Sequence, residues 1–305
     1  MRRTGAAPRG PWGRLPGVAP PASLPPRTAW QAGIERALAE DLGSGDLTTR
    51  AVLPEDRAIE ARIEARQTLV VCGLEPARAV FDLLGGVRAE LRAADGERAD
   101  AGSVLVRLTG SAHAILAGER TALNLLGHLS AIATHTRRFV DAVAGTGVAI
   151  VDTRKTLPGW RALAKYAVAV GGGTNHRSGL YDAILVKDNH VAAAGGVGLA
   201  VKAARAAAPP HVWLQAEVES EEQAEEALAA GADSLLLDNR SVAELRELAR
   251  RFRDRTILEA SGGVRLENVR AIAETGVHRI SIGALTHSAP QVDVALEVAW
   301  PGARA

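Results

Sequence analysis

The sequence predicts an α/β protein in two parts: a mixed α/β domain on antiparallel strands, then a run of βα units. Three observations predict this. From Val148 onward, short apolar runs alternate with helical stretches about six times, the rhythm of a parallel sheet with covering helices. That number of units points to a barrel, complete or incomplete, more than to an open sheet. The region before it alternates apolar and charged residues at period two, as a sheet with one wet face does. The composition, 47% hydrophobic with only 3% aromatic, is that of an α/β protein rich in small aliphatic side chains.

Length and charge bound the function. A chain of 305 residues can bury one large core or two ordinary ones. No run approaches the ~18 apolar residues of a membrane span. Cys72 is the only cysteine, which excludes a disulfide framework and a cysteine zinc site and fits a reducing, cytoplasmic compartment. A net charge of +1 argues against general nucleic-acid binding. Scarce aromatics argue against single-strand stacking platforms.

Taken in order, residues 1–27 are rich in Pro, Gly, Ala and Arg and lack an apolar signal region; they read as a disordered tail. Ile34, Leu38 and Leu42 form a helical stripe ended by Gly43 to Gly45. GDLTTRAVLP reads as a turn. AIEARIEARQTLVVCG alternates Ile59, Ala61, Ile63 and Ala65 with charged neighbours and reads as a strand. EPARAVFDLLGG is a short helix. The stretch from Val87 to Leu116 reads as strands broken by turns at Asp95-Gly96 and Ala101-Gly102. Leu116 to Val143 is the longest helical region, with Leu123, Leu126, Leu129, Ile132 and Phe139 on one stripe. Arg120 near its start is not favoured by the helix dipole; a pairing with Glu119 is the plain alternative to a functional role.

The βα units then carry a pattern of position. Their strands end in Asp152-Thr153-Arg154-Lys155, Lys187, Glu217, Asp238, Ser261-Gly262-Gly263 and Gly283. In a βα barrel the carboxyl ends of the strands share the face that carries the site. Within residues 151–190 lie Arg154, Lys155, Arg161, Lys165, Arg177, Lys187, His176 and His190. Cations beside glycine turns suit a pocket for a multiply charged anion. Arg161 and Lys165 fall on the intervening helix and read as ordinary surface charges. Ser261-Gly262-Gly263 and Ile282-Gly283-Ala284 stand in the last two βα turns, where backbone N–H groups hold phosphates. Glu217 and Asp238 have the chemistry for ribose hydroxyls or a Mg²⁺ carried on a diphosphate.

Longer motifs carry a resemblance. ERTALNLLGHLSAIAT (119–134), DTRKTLPGWR (152–161), KYAVAVGGGTNHRSGLYDAILVKDNH (165–190), LLLDN (235–239), LEASGG (258–263) and SIGALTHS (281–288) resemble the quinolinate phosphoribosyltransferase family from about Trp30 to Val298. The resemblance implies an N-terminal α/β sandwich over 28–122 with 288–305, and an incomplete α/β barrel over 123–287. It implies phosphoribosyl transfer from phosphoribosyl pyrophosphate (PRPP) to quinolinate with decarboxylation, Mg²⁺ arriving with PRPP, and a homodimer. Thr153, Arg154, His176, Arg177 and Lys187 would face quinolinate, with Arg120 reaching in from the partner subunit. Lys155, Glu217, Asp238, Ser261, Gly262, Gly263, Ile282, Gly283 and Ala284 would hold PRPP. Lys155, Lys187, Glu217 and Asp238 are its candidate catalytic residues.

Two positions depart from the family pattern. Leu157 stands where a second threonine is usual, and Gln215 where a glutamate is. Other readings remain open on the residues. A related phosphoribosyltransferase would take nicotinate or, as in the molybdenum-associated paralogues, another acceptor. A Schiff-base aldolase would use Lys187 as nucleophile and be trapped by borohydride. A binding protein that kept the fold would release no pyrophosphate.

Overall fold

In the computed structural model, which describes residues 22–299, the elements follow in chain order. They are α1 (Gln31–Leu42), α2 (Leu47–Val52), β1 (Ala58–Ala65), β2 (Leu69–Val70), α3 (Leu74–Leu84), β3 (Val87–Leu91), β4 (Arg98–Ala99), β5 (Val104–Ser111) and α4 (Ala112–Ala142). Then come β6 (Ala149–Val151), α5 (Arg161–Val170), β7 (Ile184–Val186), α6 (Asp188–Ala194), α7 (Val197–Ala207), β8 (Leu214–Val218), α8 (Glu221–Ala229) and β9 (Ser234–Asp238). The last are α9 (Val242–Phe252), β10 (Ile257–Ser261), α10 (Leu266–Ala273), β11 (Arg279–Ser281), α11 (Ala284–His287) and β12 (Val294–Val298). The tail expected over 1–27 lies, up to residue 21, outside the described residues; the Trp30 indole N–H, donated to the Pro25 carbonyl at 3.0 Å, pins the chain that follows. The chain divides into two units. One holds 22–137, Thr156–Gly171 and 286–299; the other holds Arg138–Lys155 and Gly172–Leu285.

The first unit is built on an antiparallel sheet in the order β12-β1-β5-β3. The alternation in β1 does what period two requires: Ala61 and Ile63 are buried opposite Leu108 and Val106 of β5, while Glu60 and Arg62 face solvent. The C-terminal strand β12 completes this sheet, with Leu296 opposite Ile63. α3 packs on β3 and α1, burying Val80 and Phe81. GDLTTRAVLP, expected as a turn, contains the six-residue helix α2. Asp46 caps it, its carboxylate accepting the Thr49 N–H at 2.9 Å; an aspartate three residues ahead of a threonine is a cap as readily as a turn. α5 belongs to this unit, and its Lys165, expected as a surface charge, is buried.

The second unit is the βα run. Its six parallel strands lie in the order β6-β11-β10-β9-β8-β7, with α7, α8, α9 and α10 packed on them. The first strand sits beside the last, as in a barrel, but no ladder joins β6 to β7. The barrel is therefore open there. On the β6 edge a single bridge, Val151 with Thr174, takes the place of a strand: the Thr174 N–H donates to the Ile150 carbonyl at 2.8 Å, and the Asp152 N–H to the Thr174 carbonyl at 3.2 Å. A segment with three consecutive glycines, 171–173, has no side chains with which to build a longer strand, and the chain leaves the edge at Asn175.

Candidate active site

The carboxyl ends of the parallel strands bring the predicted residues together. Asp152 to Lys155 follow β6, Lys187 follows β7, Glu217 and Asp238 lie at the ends of β8 and β9, Ser261 closes β10, and Ile282 and Gly283 separate β11 from α11. Ser261 is level with Asp238, and Glu217 with Leu236, two residues earlier on β9, so these side chains stand on one face near the strand ends. Arg161 is not among them; it lies on α5, in the other unit, and donates to Thr156 Oγ1 at 3.1 Å.

The cations converge first. Arg177 is 6% exposed and among the described residues its guanidinium has one hydrogen bond, to the Ala183 carbonyl at 3.2 Å. Burial lowers its hold on its proton, the neighbouring Arg154 lowers it further, and Asp182 opposes both. The two guanidiniums reinforce each other's positive charge, which suits the place to an anion. Asp182 is occupied in shaping the loop, accepting the Ser178 and Gly179 N–H groups at 2.6 and 3.1 Å. Thr153 Oγ1 accepts the Lys155 N–H at 3.0 Å, which sets the turn that carries Arg154.

Behind the cations runs a buried polar chain. The Arg177 backbone N–H donates to His176 Nδ1 at 2.8 Å. His176 Nε2 lies 3.0 Å from Gln215 Oε1 and 3.4 Å from Glu259 Oε1. Gln215 Nε2 donates to Glu259 Oε2 at 3.2 Å. Gln215 is on β8 and Glu259 on β10, so their contact passes over β9 and both side chains point into the barrel interior. Arg279 stands opposite Glu259 on β11 and is also buried. Burial works against a charged Glu259, yet His176 and Arg279 hold its carboxyl below the usual range. Burial likewise works against a charged His176, while Glu259 draws its affinity for a proton above that of an ordinary histidine. Asp152, fully buried, accepts the His176 N–H and the Asn175 amide, both at 2.7 Å.

The carboxylates and glycine turns complete the face. Glu217 is largely buried, and among the described residues no hydrogen bond reaches its Oε2; Lys187 Nζ lies 3.6 Å away. Burial raises its pKa, Lys187 opposes that, and Asp238 and Asp188 add to it. Asn239, at φ 52°, donates its amide to Asp238 Oδ2 at 2.6 Å and its backbone N–H to the Ser261 carbonyl at 2.8 Å. Gly262 follows at φ +89°, where a Cβ would stand 2.1 Å from Asn239 Oδ1. No side chain fits there, so the carboxylate turn and the glycine turn pack as one piece. Among the described residues no three acidic, histidine or cysteine side chains form a metal cage. Two carboxylates, one with a bare buried oxygen, fit an ion that keeps most of its ligands elsewhere.

In the other unit, Arg120 is exposed on α4. It lines a cleft of about 240 Å³ with Glu40, Asp41, Asn124, His128 and Trp160. It forms no ion pair among the described residues, and Glu119 does not hold it.

Sequence reasoning quoted Asn239 and Glu259 within motifs but gave them no role, and treated Gln215 only as a departure. Asn239 carried a signal: an asparagine directly after a strand is suited to the left-handed turn. A glutamate in the middle of the apolar strand TILEA was the signal for Glu259.

The comparisons with known proteins agree with this geometry. Models of the N-terminal and C-terminal domains of quinolinate phosphoribosyl transferase match residues 46–130 and 132–297. The chain is 45% identical over 260 residues to a probable nicotinate-nucleotide pyrophosphorylase [carboxylating] of Bacillus subtilis, covering 85% of this chain and 90% of that protein. It is 46% identical over 272 residues to the nicotinate-nucleotide pyrophosphorylase [carboxylating] of Mycobacterium leprae, covering 87% and 95%. The solved structure of the nicotinate-nucleotide pyrophosphorylase from Francisella tularensis superposes with a TM-score of 0.86 at 35% identity, over 93% of this chain and 100% of that one.

Proposed function

The chain belongs to the quinolinate phosphoribosyltransferase family, and on that premise we propose how its residues divide the reaction. It is a pentosyltransferase of NAD biosynthesis. It transfers phosphoribosyl from PRPP to quinolinate and releases nicotinate mononucleotide, CO2 and pyrophosphate.

Arg154, Arg177 and Lys187 supply charge for the two quinolinate carboxylates, Thr153 lines the same place, and His176 stands behind Arg177. Arg120 of the partner subunit reaches in across a homodimer interface; an arginine on a cleft wall with no ion pair among the described residues supports that assignment. Glu217 and Asp238 take the ribose hydroxyls and face the Mg²⁺ that arrives with PRPP. The turns at Ser261, Gly262, Gly263 and at Ile282, Gly283, Ala284 take the 5-phosphate on backbone N–H groups. Lys155, exposed beside Arg154, meets the diphosphate. Among the described residues no helix is long and apolar enough to cross a membrane, and a single buried cysteine that forms no disulfide suits the cytoplasm.

No activated nucleophile is required of the protein. The quinolinate nitrogen forms the new bond to the anomeric carbon as the bond to pyrophosphate breaks, and the sugar passes through an oxocarbenium-like state. Mg²⁺ supplies charge to the departing pyrophosphate. The residues position and stabilise charge. Once ribosylated, the ring nitrogen is cationic. The adjacent carboxylate leaves as CO2, its bonding electrons stay on the ring carbon, and a proton replaces it. Lys155 and Lys187 are the candidates for its delivery.

The observation that carries this reading is the buried guanidinium of Arg177, 6% exposed and bonded to the Ala183 carbonyl, with the positive charge of Arg154 acting on it. A ring with two neighbouring carboxylates sets two negative charges against this positive pair, and nicotinate sets only one. Incubation with PRPP and Mg²⁺ and either quinolinate or nicotinate tests it. Nucleotide and CO2 in equal amounts from quinolinate are expected. Nucleotide from nicotinate, with none from quinolinate, would move the chain to a different acceptor.

A further inference from the structure

We infer that His176 is a positioning residue that fixes Arg177 without touching the acceptor, and that Gln215 sets the tautomer this task needs. The inference rests on Arg177 as an acceptor-binding group. The direction of every bond in the buried chain follows from donor and acceptor chemistry. The Arg177 backbone N–H can only donate, so His176 Nδ1, 2.8 Å away, carries a lone pair. The Glu259 carboxylate can only accept, so the Gln215 amide nitrogen is the atom turned to it, at 3.2 Å. The Gln215 carbonyl is thereby left to face His176 Nε2 at 3.0 Å, and Nε2 carries the hydrogen. Both ring nitrogens are committed within the protein. Glu259, Gln215, His176 and Arg177 are 0%, 1%, 6% and 6% exposed, so each of these bonds is made away from water, where a missing partner is costly.

Glu259, two residues before Ser261 on β10, connects the two halves of the site: its strand leads to the phosphate turn, and its carboxylate anchors the acceptor arginine through Gln215 and His176.

Ring-15N-histidine labelling of the full chain reads the tautomer, with the His176 signal identified by its loss in His176→Gln. The expected state is Nε2–H with bare Nδ1, unchanged when quinolinate saturates the protein. A His176 ring that gains a proton or switches tautomer on quinolinate addition overturns the inference. Kinetics supply an independent reading. His176→Asn returns an acceptor to the Arg177 N–H and is expected to keep KM for quinolinate within about threefold of wild type, while His176→Leu raises it about tenfold, the loss of roughly one hydrogen bond. Neither is expected to change KM for PRPP. Equal losses in the two variants, or a matching rise in KM for PRPP, contradict a link to Arg177. Should the wild-type chain fail to turn over quinolinate while His176 stays Nε2–H, the acceptor assignment falls and the His176–Arg177 bond stands.

Discussion

The two sheets of this protein use charged side chains in opposite ways. On the antiparallel sheet the partners reach water: Arg92 pairs with Glu90 at 2.6 Å, both side chains about half exposed, Arg66 meets Glu297 at a similarly wet edge, and even the buried Glu64 pairs with the part-exposed Arg62 and Arg66. On the parallel sheet, Glu259, Arg279, Gln215 and Asp152 are buried. In water a carboxylate and a guanidinium attract weakly and cost little to hold apart. Taken out of water, each costs several kcal/mol unless its partners are complete. The wet pairs therefore keep a sheet face soluble at little energetic consequence. The buried ones oppose folding unless fully partnered, and are understandable as the support for a site whose charges must be held still.

That contrast can be broken most severely at Glu259. Glu259→Ala leaves Arg279 without its carboxylate and Gln215 without its acceptor, and is expected to cost about 3–5 kcal/mol of stability, as the breaking of buried pairs does. Denaturant unfolding measures it; a loss below about 1 kcal/mol would mean that water already reaches the network.

Glu217 sharpens the comparison because it is buried for function and incompletely partnered. Glu217→Gln is expected to lower kcat about 10²-fold or more, the scale on which single electrostatic contacts act. The same change is expected to raise the melting temperature of the ligand-free protein. The folded-state pKa of Glu217 lies above its ordinary value, chiefly through burial. Above that pKa the ionised carboxylate lowers folded-state stability, and this penalty fades as pH falls through it. The gain in melting temperature should therefore be present at neutral pH and shrink on acidification. A variant less stable than wild type at neutral pH would show that Glu217 is a structural group.

The smallest effect belongs to the wet sheet. Arg92→Ala is expected to change stability by less than about 1 kcal/mol and to leave turnover as it was. A larger loss in thermal unfolding would erase the difference drawn between the sheets.

The same contrast explains what the chain revealed before it was folded. Glu217, Asp238 and the Ser261 turn were legible because a polar residue ending an apolar run is a local signal, and barrel geometry collects such ends on one face. That the barrel is incomplete was expected from the resemblance, but the place of its opening, beside β6, was not legible, since the single bridge at Thr174 depends on which edge the chain meets. Neither was the Gln215 chain. Its contacts join residues 39 and 44 positions apart over intervening strands, and no periodicity reports a side-chain bond inside a barrel. α2 was hidden by chemistry that serves turns and caps alike. Buried Lys165 was misread because helix periodicity says which residues share a face, and a lysine on that face is ordinarily wet.

The central claim is that Arg154 and Arg177 supply the charge for the two carboxylates of the acceptor. Steady-state kinetics of Arg177→Ala with quinolinate test it most directly. Loss of a buried, charge-assisted contact is expected to lower kcat/KM for quinolinate about 10²-fold or more while KM for PRPP stays near its wild-type value. Wild-type efficiency with quinolinate in that variant would contradict the claim.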